Sequence, residues 1–261
     1  MKIGIIGCGN MASFIIDGLK SKKEDIEFCI YDIDKNRMNM FSEKYNANPK
    51  IDEKQVVVDS DIIILAVKPK DIIGVLNNVK DEIDNKIIIS IAAGIKIESL
   101  KRILGDKKII RVMPNINISV QKGILAMTYI NLNNDEIKQI EELLNLLGNV
   151  YTLSEKYFDL ITALIGSGPA FIALFIEALC DGALKLGLSK DISLKMILDL
   201  IEGTIINMKI NNYKPQDIRD FVSSPGGTTI EGLLEMEKNG AKAAIIDGLI
   251  KAYEKSIELG K

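Results

Sequence analysis

Short apolar runs alternate with longer stretches of helical periodicity through the first half of the chain. Runs that are apolar throughout and separated by helical stretches are typical of a parallel sheet covered on both faces. Six such runs, rich in Ile and Val and bounded by polar residues, Gly or Pro, are predicted to be strands: Lys2–Ile6, Phe28–Tyr31, Ile62–Val67, Ile87–Ile91, Ile109–Val112 and Leu125–Tyr129. The pattern predicts an α/β domain over residues 1–153.

The pattern changes near residue 155, where strand-like runs stop and apolar residues recur at three- and four-residue steps. Two predicted helices each carry one apolar stripe, which we expect to be buried: Ile172, Phe175, Ile176, Leu179, Ala183 and Leu186 in the first, and Leu194, Ile197, Leu198, Ile201 and Ile205 in the second. Two more helices are predicted near Thr229–Lys238 and Ala241–Leu259, divided by Asn239-Gly240. Residues 154–261 are therefore predicted to form an all-α domain.

Composition narrows the classes of function. The 261 residues include 36 acidic and 33 basic ones, so no net positive field favours nucleic acid or an anionic membrane. We find no apolar stretch near the roughly 20 residues that span a bilayer and no signal peptide, and we expect a cytoplasmic protein without a membrane partner. The three cysteines form no CxxC pair, and with no histidine in the chain we expect no metal site.

A glycine-rich turn follows the first predicted strand and opens a helix. It reads Gly7, Cys8, Gly9, Asn10, Met11, Ala12, which is G-x-G-x-x-A. In a strand–turn–helix context this pattern favours dinucleotide binding, because the bare backbone admits a pyrophosphate to the positive end of the helix. The alternative is a glycine-rich turn of an unrelated α/β fold.

Asp32 ends the second predicted strand, where an acid commonly binds the ribose 2′-hydroxyl of the adenosine. A carboxylate there favours NADH, whereas Lys35 and Arg37 nearby could hold the extra phosphate of NADPH. A carboxylate facing water is a third reading. The choice between NADPH and NADH stays open.

Two further segments stand at the carboxyl ends of predicted strands, the edge where open α/β sheets bind ligands. They are Ala66, Val67, Lys68, Pro69 and Ile91, Ala92, Ala93, Gly94. Their small residues would let the backbone approach a flat ring, although each could be no more than a strand followed by a turn.

Two loops of the helical half differ from ordinary helix connections. Gly166–Ala170 precedes one long helix, and Ser223–Thr229 precedes another. Glycines followed by hydroxyl residues at a helix start expose successive N–H groups, which suit a carboxylate. Simple N-capping is the alternative, but the double glycine exceeds what a cap requires.

The whole pattern resembles the pyrroline-5-carboxylate reductase family. The matching segments follow the family's order over nearly the entire chain: IGCGNMA at 6–12, AVKP at 66–69, IAAG at 91–94, RVMPN at 111–115, GSGPAF at 166–171 and SSPGGTT at 223–229. The resemblance implies a Rossmann-like N-terminal domain, an all-α C-terminal dimerisation domain, and a homodimer that in some relatives assembles into a larger ring such as a decamer.

The resemblance also implies an NAD(P)H-dependent reduction of pyrroline-5-carboxylate to proline, and roles for particular residues. The pyrophosphate would lie on Gly7, Gly9, Asn10, Met11 and Ala12, and the rest of the cofactor along the AVKP and IAAG segments. Ser224, Gly226, Gly227 and Thr228 would bind the substrate carboxylate, and the Thr229 hydroxyl would face the ring nitrogen. Because an imine is basic enough to take its proton from water, the missing histidine is no obstacle, and Glu177 is an alternative proton source.

Two alternatives remain open at this stage. One is another reductase on the same scaffold, such as a hydroxyacid dehydrogenase or a deazaflavin-dependent NADP reductase. The other is a relative that binds the dinucleotide without catalysis.

Overall fold

The computed structural model describes residues 1–260, and its central feature is one eight-stranded sheet. The strands are β1 (Lys2–Ile6), β2 (Glu27–Tyr31), β3 (Asn48–Pro49), β4 (Ile62–Leu65), β5 (Ile87–Ser90), β6 (Lys108–Met113), β7 (Gly123–Ile130) and β8 (Gly148–Thr152). Six helices alternate with them: α1 (Asn10–Lys20), α2 (Lys35–Tyr45), α3 (Glu53–Val58), α4 (Ile72–Val79), α5 (Ile97–Leu104) and α6 (Asn134–Asn145).

After β8 the described chain is helical. It forms α7 (Phe158–Ile161), a π-helical turn over Thr162–Gly166, α8 (Gly168–Lys185), α9 (Lys190–Asn211), α10 (Pro215–Val222), α11 (Thr228–Lys238) and α12 (Ala241–Leu259). The predicted helices near 229–238 and 241–259 are confirmed to within one residue.

The strand order is β3-β2-β1-β4-β5-β6-β7-β8. The chain works outward from β1 to β3 and then crosses back to β4, so the order reverses between β1 and β4. In an open α/β sheet the crevice at such a reversal, outside the carboxyl ends of the strands, is where ligands bind. The prediction of a Rossmann-like sheet is confirmed, and the edge that ends in Ile6, Tyr31, Leu65 and Ser90 is where a site is expected.

The prediction that the sheet is parallel throughout is wrong at one point, because β6 and β7 pair antiparallel. The apolar run of β7 looks like the others in the sequence, and its direction depends on the short connection before it. Two strands were also missed. β3 has only two residues, and β8 is largely exposed, so neither presents an apolar run.

The sheet is buried on both faces, which explains the continuous apolar strands. Along β4, Ile62 and Ile64 belong to one core cluster, whereas Ile63 and Leu65 belong to another. Successive side chains of a strand point to opposite faces, so both faces need apolar residues when helices cover both.

The chain divides into two compact units, one of residues 1–166 together with the segment from Ala252 onward, and one of Ser167–Lys251. The sequence placed the division at 153/154, where the strands end. Within the first unit, the Ser256 hydroxyl lies 2.9 Å from a carboxylate oxygen of Asp159, so the end of α12 is bonded to α7.

The second unit leaves apolar side chains exposed. Both apolar stripes were expected to be buried, and within this chain that expectation is wrong: Ile172 is 56% exposed and Leu186 is 90% exposed, whereas Ile197 is buried. A helix that is apolar over most of its circumference needs a further surface to cover it.

The expectation that no segment is apolar and long enough to cross a bilayer is also wrong. The helical stretch Glu155–Lys185 has a mean hydropathy of 1.9 in its most apolar window and is long enough to span. Residues 160–176 contain no charged side chain but include Gly, Ser, Thr and Pro, so no single run of apolar letters marks the stretch. By length and composition alone this is weak support for a membrane span.

Candidate active site

The turn between β1 and α1 packs directly against the end of β4. Gly7 has a φ of +102°, and a β-carbon built on it would lie 2.8 Å from the carbonyl carbon and oxygen of Ala66 and 2.9 Å from the nitrogen of Val67. No side chain fits at Gly7, because its β-carbon would clash with the backbone of Ala66 and Val67 and because L residues rarely adopt this φ. The structure thus brings together Gly7 and the AVKP segment at the point where the strand order reverses.

The N-terminus of α1 is open. Gly9 is its N-cap and offers no side-chain bond, so within residues 1–260 the first N–H groups of the helix, at Asn10, Met11 and Ala12, lack a capping partner. A β-carbon on Gly9 would meet nothing within 4 Å. An anionic group fits this space, because bare backbone and the positive end of a helix face it. The methyl group of Ala12 is fully buried, so this residue can meet a ligand only through its backbone.

Asp32 is bonded to the same turn. Its Oδ2 accepts a hydrogen bond of 2.7 Å from the Cys8 N–H, and its Oδ1 accepts one of 2.8 Å from the Asp34 N–H. The carboxylate therefore holds the glycine-rich turn against the end of β2. Each oxygen keeps a further lone pair, so this role leaves room for a ribose hydroxyl.

The two basic residues proposed for a phosphate stand at the start of α2. Asp34 caps this helix by accepting from the Asn36 N–H at 2.9 Å, and it forms an ion pair of 3.5 Å with the exposed Arg37. Arg37 is free to swing toward a ligand at the end of β2, because a surface ion pair holds it weakly, and Lys35 is exposed at the same place.

The Cys8 thiol stays protonated at neutral pH. Burial, with a smaller contribution from the negative charge of Asp32, raises its pKa from 9.0 to about 12. Within residues 1–260, no group of three Cys, Asp or Glu side chains is arranged to hold a metal ion.

The ends of β4 and β5 lie side by side, since Leu65 pairs with Ser90. After β4, Lys68 is exposed and Pro69 starts a short turn of 3₁₀ helix. After β5, Ile91 and Ala93 are half-buried, but the Ala92 side chain is buried in the second core cluster. Ala92 can therefore face a ligand only through its backbone.

The turn after β5 is also packed against the end of the chain. Gly94 has a φ of +78°, and a β-carbon on it would lie 3.1 Å from the α-carbon of Gly260. The helix α12 thus ends on the IAAG segment, within the first compact unit.

The sequence reasoning missed a buried charge on β6. Arg111 is 3% exposed and forms an ion pair of 2.9 Å with Glu155. The RVMPN segment was noticed only as part of the family pattern, and no local feature of the sequence connects two residues so far apart.

The loop before α11, in the second unit, has the form of a turn that feeds an open helix N-terminus. The Gly227 N–H donates to the Ser224 carbonyl at 3.0 Å, with Pro225 and Gly226 between them. Gly226 has a φ of +65°, which suits the third position of a type II turn. Gly227 then caps α11 without a side-chain bond, and a β-carbon on it would clash with Ser224 Oγ.

Hydroxyl groups surround this N-terminus. Ser224 and Thr228 are exposed and Thr229 is half-buried. Within residues 1–260, the Ser223 hydroxyl is buried without a hydrogen-bond partner. The loop therefore presents main-chain and hydroxyl donors together, which is the chemistry that a carboxylate requires.

The comparisons with known proteins agree with this arrangement. The family model for pyrroline-5-carboxylate reductase dimerisation matches residues 155–259, and a model described as coenzyme F420-dependent NADP oxidoreductase matches residues 2–94. The pyrroline-5-carboxylate reductase of Aquifex aeolicus is 38% identical over 99% of this chain and 97% of its own length.

Solved structures give the same relationship. A Plasmodium falciparum pyrroline carboxylate reductase with NADP bound is 32% identical, with a TM-score of 0.92 over 100% of this chain and 98% of its own. The 1-pyrroline-5-carboxylate reductase of Streptococcus pyogenes is 34% identical, with a TM-score of 0.92 over 99% and 98%. Full-length likeness at these identities, added to the glycine-rich turn and the SSPGGTT loop, shows that the chain belongs to the pyrroline-5-carboxylate reductase family.

Proposed function

We propose that the protein is an NAD(P)H-dependent pyrroline-5-carboxylate reductase, which reduces the C=N bond of L-1-pyrroline-5-carboxylate to give L-proline, the last step of proline biosynthesis. One observation carries the proposal: two uncapped helix N-termini, α1 after Gly9 and α11 after Gly227, occur in a chain that matches such reductases over its full length. The reaction needs two anion receptors, one for a pyrophosphate and one for a carboxylate.

The first unit binds the cofactor in this proposal. Gly7 and Gly9 keep the turn bare, and the N–H groups of Asn10, Met11 and Ala12 bind the pyrophosphate. Asp32 and the segment Ala66, Val67, Lys68, Pro69 contact the adenosine side and the path to the nicotinamide. Ile91, Ala92 and Ala93 lie beside the nicotinamide, Ala92 through its backbone. The cofactor, NADPH or NADH, supplies the hydride when bound.

The second unit binds the substrate. Ser224, Gly226, Gly227 and Thr228 hold its carboxylate, and the Thr229 hydroxyl orients the ring nitrogen. The nitrogen takes a proton that originates in water, the neighbouring carbon accepts the hydride, and the C=N double bond becomes a C–N single bond. The residues bind and align the ring, and alignment of this kind can be worth roughly 7–11 kcal/mol. Glu177 is exposed in the single chain and remains the alternative proton source.

We further propose that the second unit forms a homodimer. Its exposed apolar side chains, and a groove of about 680 Å³ between α8 and α9, need a partner surface. The match to the dimerisation model over 155–259 favours a second copy rather than a lipid bilayer as that surface. The protein is then a cytoplasmic enzyme without membrane or nucleic-acid partners. A measurement of the mass of the assembly distinguishes a dimer from a larger ring such as a decamer.

An absorbance assay tests the activity. The protein is mixed with pyrroline-5-carboxylate and either NADPH or NADH, and loss of the reduced cofactor's absorbance is followed while proline is measured as product. We expect turnover with at least one cofactor and equal amounts of cofactor consumed and proline formed. Absence of turnover with both, in protein that binds the cofactor, would leave a non-catalytic relative as the better description.

A second arm addresses the other reductases on this scaffold. The match of residues 2–94 to F420-dependent NADP oxidoreductases covers the nucleotide half alone. Reduced F420 with NADP, and hydroxyacids with NAD, are therefore offered to the same preparation, and we expect no turnover with either. Analytical ultracentrifugation without detergent measures the assembly: a discrete dimer or ring supports the second copy, whereas a monomer or detergent-dependent solubility contradicts it.

A further inference from the structure

Arg111 is a buried cation that the proposed chemistry does not use. Its Nη1 lies 2.9 Å from Glu155 Oε1, and its guanidinium carbon lies 4.7 Å from the centre of the Phe158 ring, which is fully buried. Burying a charge costs free energy unless partners compensate it, and removing one partner leaves the other uncompensated. The carboxylate of Glu155 and the ring of Phe158 therefore compensate the buried charge of Arg111.

The same carboxylate oxygen has a second donor. Glu155 Oε1 accepts a hydrogen bond of 2.7 Å from the N–H of Ile97, the first residue of α5. The N-cap of this helix, Lys96, contributes no side-chain bond, so Glu155 caps α5 from a distant part of the chain. A negative charge at a helix N-terminus also interacts favourably with the helix dipole.

These contacts surround the loop that follows β5. Arg111 pairs in register with Ser90, the last residue of β5, and Ile97 ends the loop at the other side. Between them run residues 91–96, which include the segment assigned to the nicotinamide. The Ala92 N–H bonds to Ser90 Oγ at 3.4 Å, and Gly94 packs on Gly260. The loop is thus fastened at its start, its middle and its end.

We propose that Arg111 and Glu155 are positioning residues, which set the backbone of residues 91–96 against the nicotinamide. The inference rests on the proposed function. Hydride transfer depends steeply on the placement of the donor, and a displacement of about 1 Å can cost roughly 100-fold in rate. A pair that served only stability would change the melting temperature and leave the kinetics of folded enzyme unchanged.

The test variant is Glu155→Gln. It keeps an oxygen for the Ile97 N–H and almost the same shape, but it removes the charge that faces Arg111. We expect kcat to fall about tenfold at a temperature where circular dichroism shows full folding. Fluorescence titration of the reduced cofactor should show weaker binding, whereas competition by ADP-ribose, or its 2′-phosphate if the wild type prefers NADPH, should be unchanged. The fragment lacks the nicotinamide ring.

A matched control lies on the same strand. Lys108 is the first residue of β6, at the end of the strand away from the carboxyl edge. It forms a half-buried ion pair of 2.6 Å with Glu136 of α6. Glu136→Gln removes a comparable pair far from the carboxyl edge and should leave kcat and both affinities unchanged. Arg111→Lys is the second test variant, which keeps the charge but not the planar guanidinium that packs against the Phe158 ring.

The outcomes separate cleanly. Wild-type kcat and cofactor affinity in folded Glu155→Gln and Arg111→Lys would overturn the proposal, as would equal losses for the cofactor and the fragment. An inactive wild type would defeat the proposed reductase function instead. The ratio of the two affinities would still test the positioning role in that case, because it needs no turnover.

Discussion

Asp32 joins the end of β2 to the glycine-rich turn, because its Oδ2 lies 2.7 Å from the Cys8 nitrogen. The second oxygen accepts from Asp34 in the loop that leads to α2. One carboxylate thus orders both the turn that would bind the pyrophosphate and the start of the segment that carries Arg37. Asp32 is therefore expected to affect cofactor binding first by ordering these two segments.

Asp32→Asn is therefore expected to weaken the binding of both NADH and NADPH. The amide has one acceptor oxygen, so one of the two N–H groups loses its partner, at a cost of about 1–3 kcal/mol. We expect kcat/KM to fall by similar factors with NADH and NADPH. A fall with NADH alone, or a gain with NADPH, would contradict this and would show that the carboxylate acts mainly at the ribose.

The two glycines of the turn should respond differently to alanine. At Gly9 the added methyl group meets only open space, so Gly9→Ala should fold, losing about 1 kcal/mol or less at the N-cap. The methyl group occupies the place proposed for the pyrophosphate, so the cofactor dissociation constant should rise about tenfold or more. Isothermal calorimetry and thermal melting measure the two effects.

Gly7→Ala is the matched variant for stability. Its β-carbon would meet Ala66 backbone at 2.8 Å with a φ of +102°, so we expect a loss of about 2 kcal/mol or more in the free energy of unfolding. If Gly9→Ala bound the cofactor as tightly as the wild type, the pyrophosphate would have to lie elsewhere.

Thr229→Ala removes a half-buried hydroxyl in the first turn of α11. If this hydroxyl orients the ring nitrogen, kcat/KM for pyrroline-5-carboxylate should fall by the equivalent of about 1–3 kcal/mol, with stability nearly unchanged. Thr229→Ser keeps the hydroxyl and should recover most of the loss. Wild-type kinetics in Thr229→Ala would exclude Thr229 from the site.

Cys8 gives stability a dependence on alkaline pH. Its folded pKa, about 12, is above the ordinary value of 9.0, so folding favours the protonated thiol. The contribution of Cys8 to the free energy of unfolding is complete below pH 9.0. It declines as the pH rises toward 12, because the unfolded chain loses the thiol proton first. Urea unfolding from about pH 8 to about pH 11 should show a steeper loss for the wild type than for Cys8→Ala. Parallel curves would contradict the assignment to this thiol.

The sequence predicted the strands that are buried on both faces, because Ile62–Leu65 and Ile87–Ser90 need apolar residues at every position. It missed β8, whose exposed side chains remove the apolar signature, and the antiparallel direction of β7, which depends on chain connections rather than on side-chain character.

The candidate site divides in the same way. Local patterns located the turn at Gly7 and the loop at Ser224, since glycines and hydroxyl residues there act through their own backbone. The ion pair between Arg111 and Glu155 could not be predicted, because it forms only when distant segments meet. The apolar stripe through Ile172 was identified correctly as an apolar surface, but the chain does not cover it by itself.

That uncovered stripe bears on how the protein is made. The sheet-forming residues emerge first during synthesis and can build their core alone. The helices α8 and α9 emerge later, with exposed apolar side chains that only a second copy of the chain would cover. Completion of the native state would then be a bimolecular event, so dilution would slow it. Until a second copy binds, chaperones would have to cover the exposed apolar helices of a newly made chain.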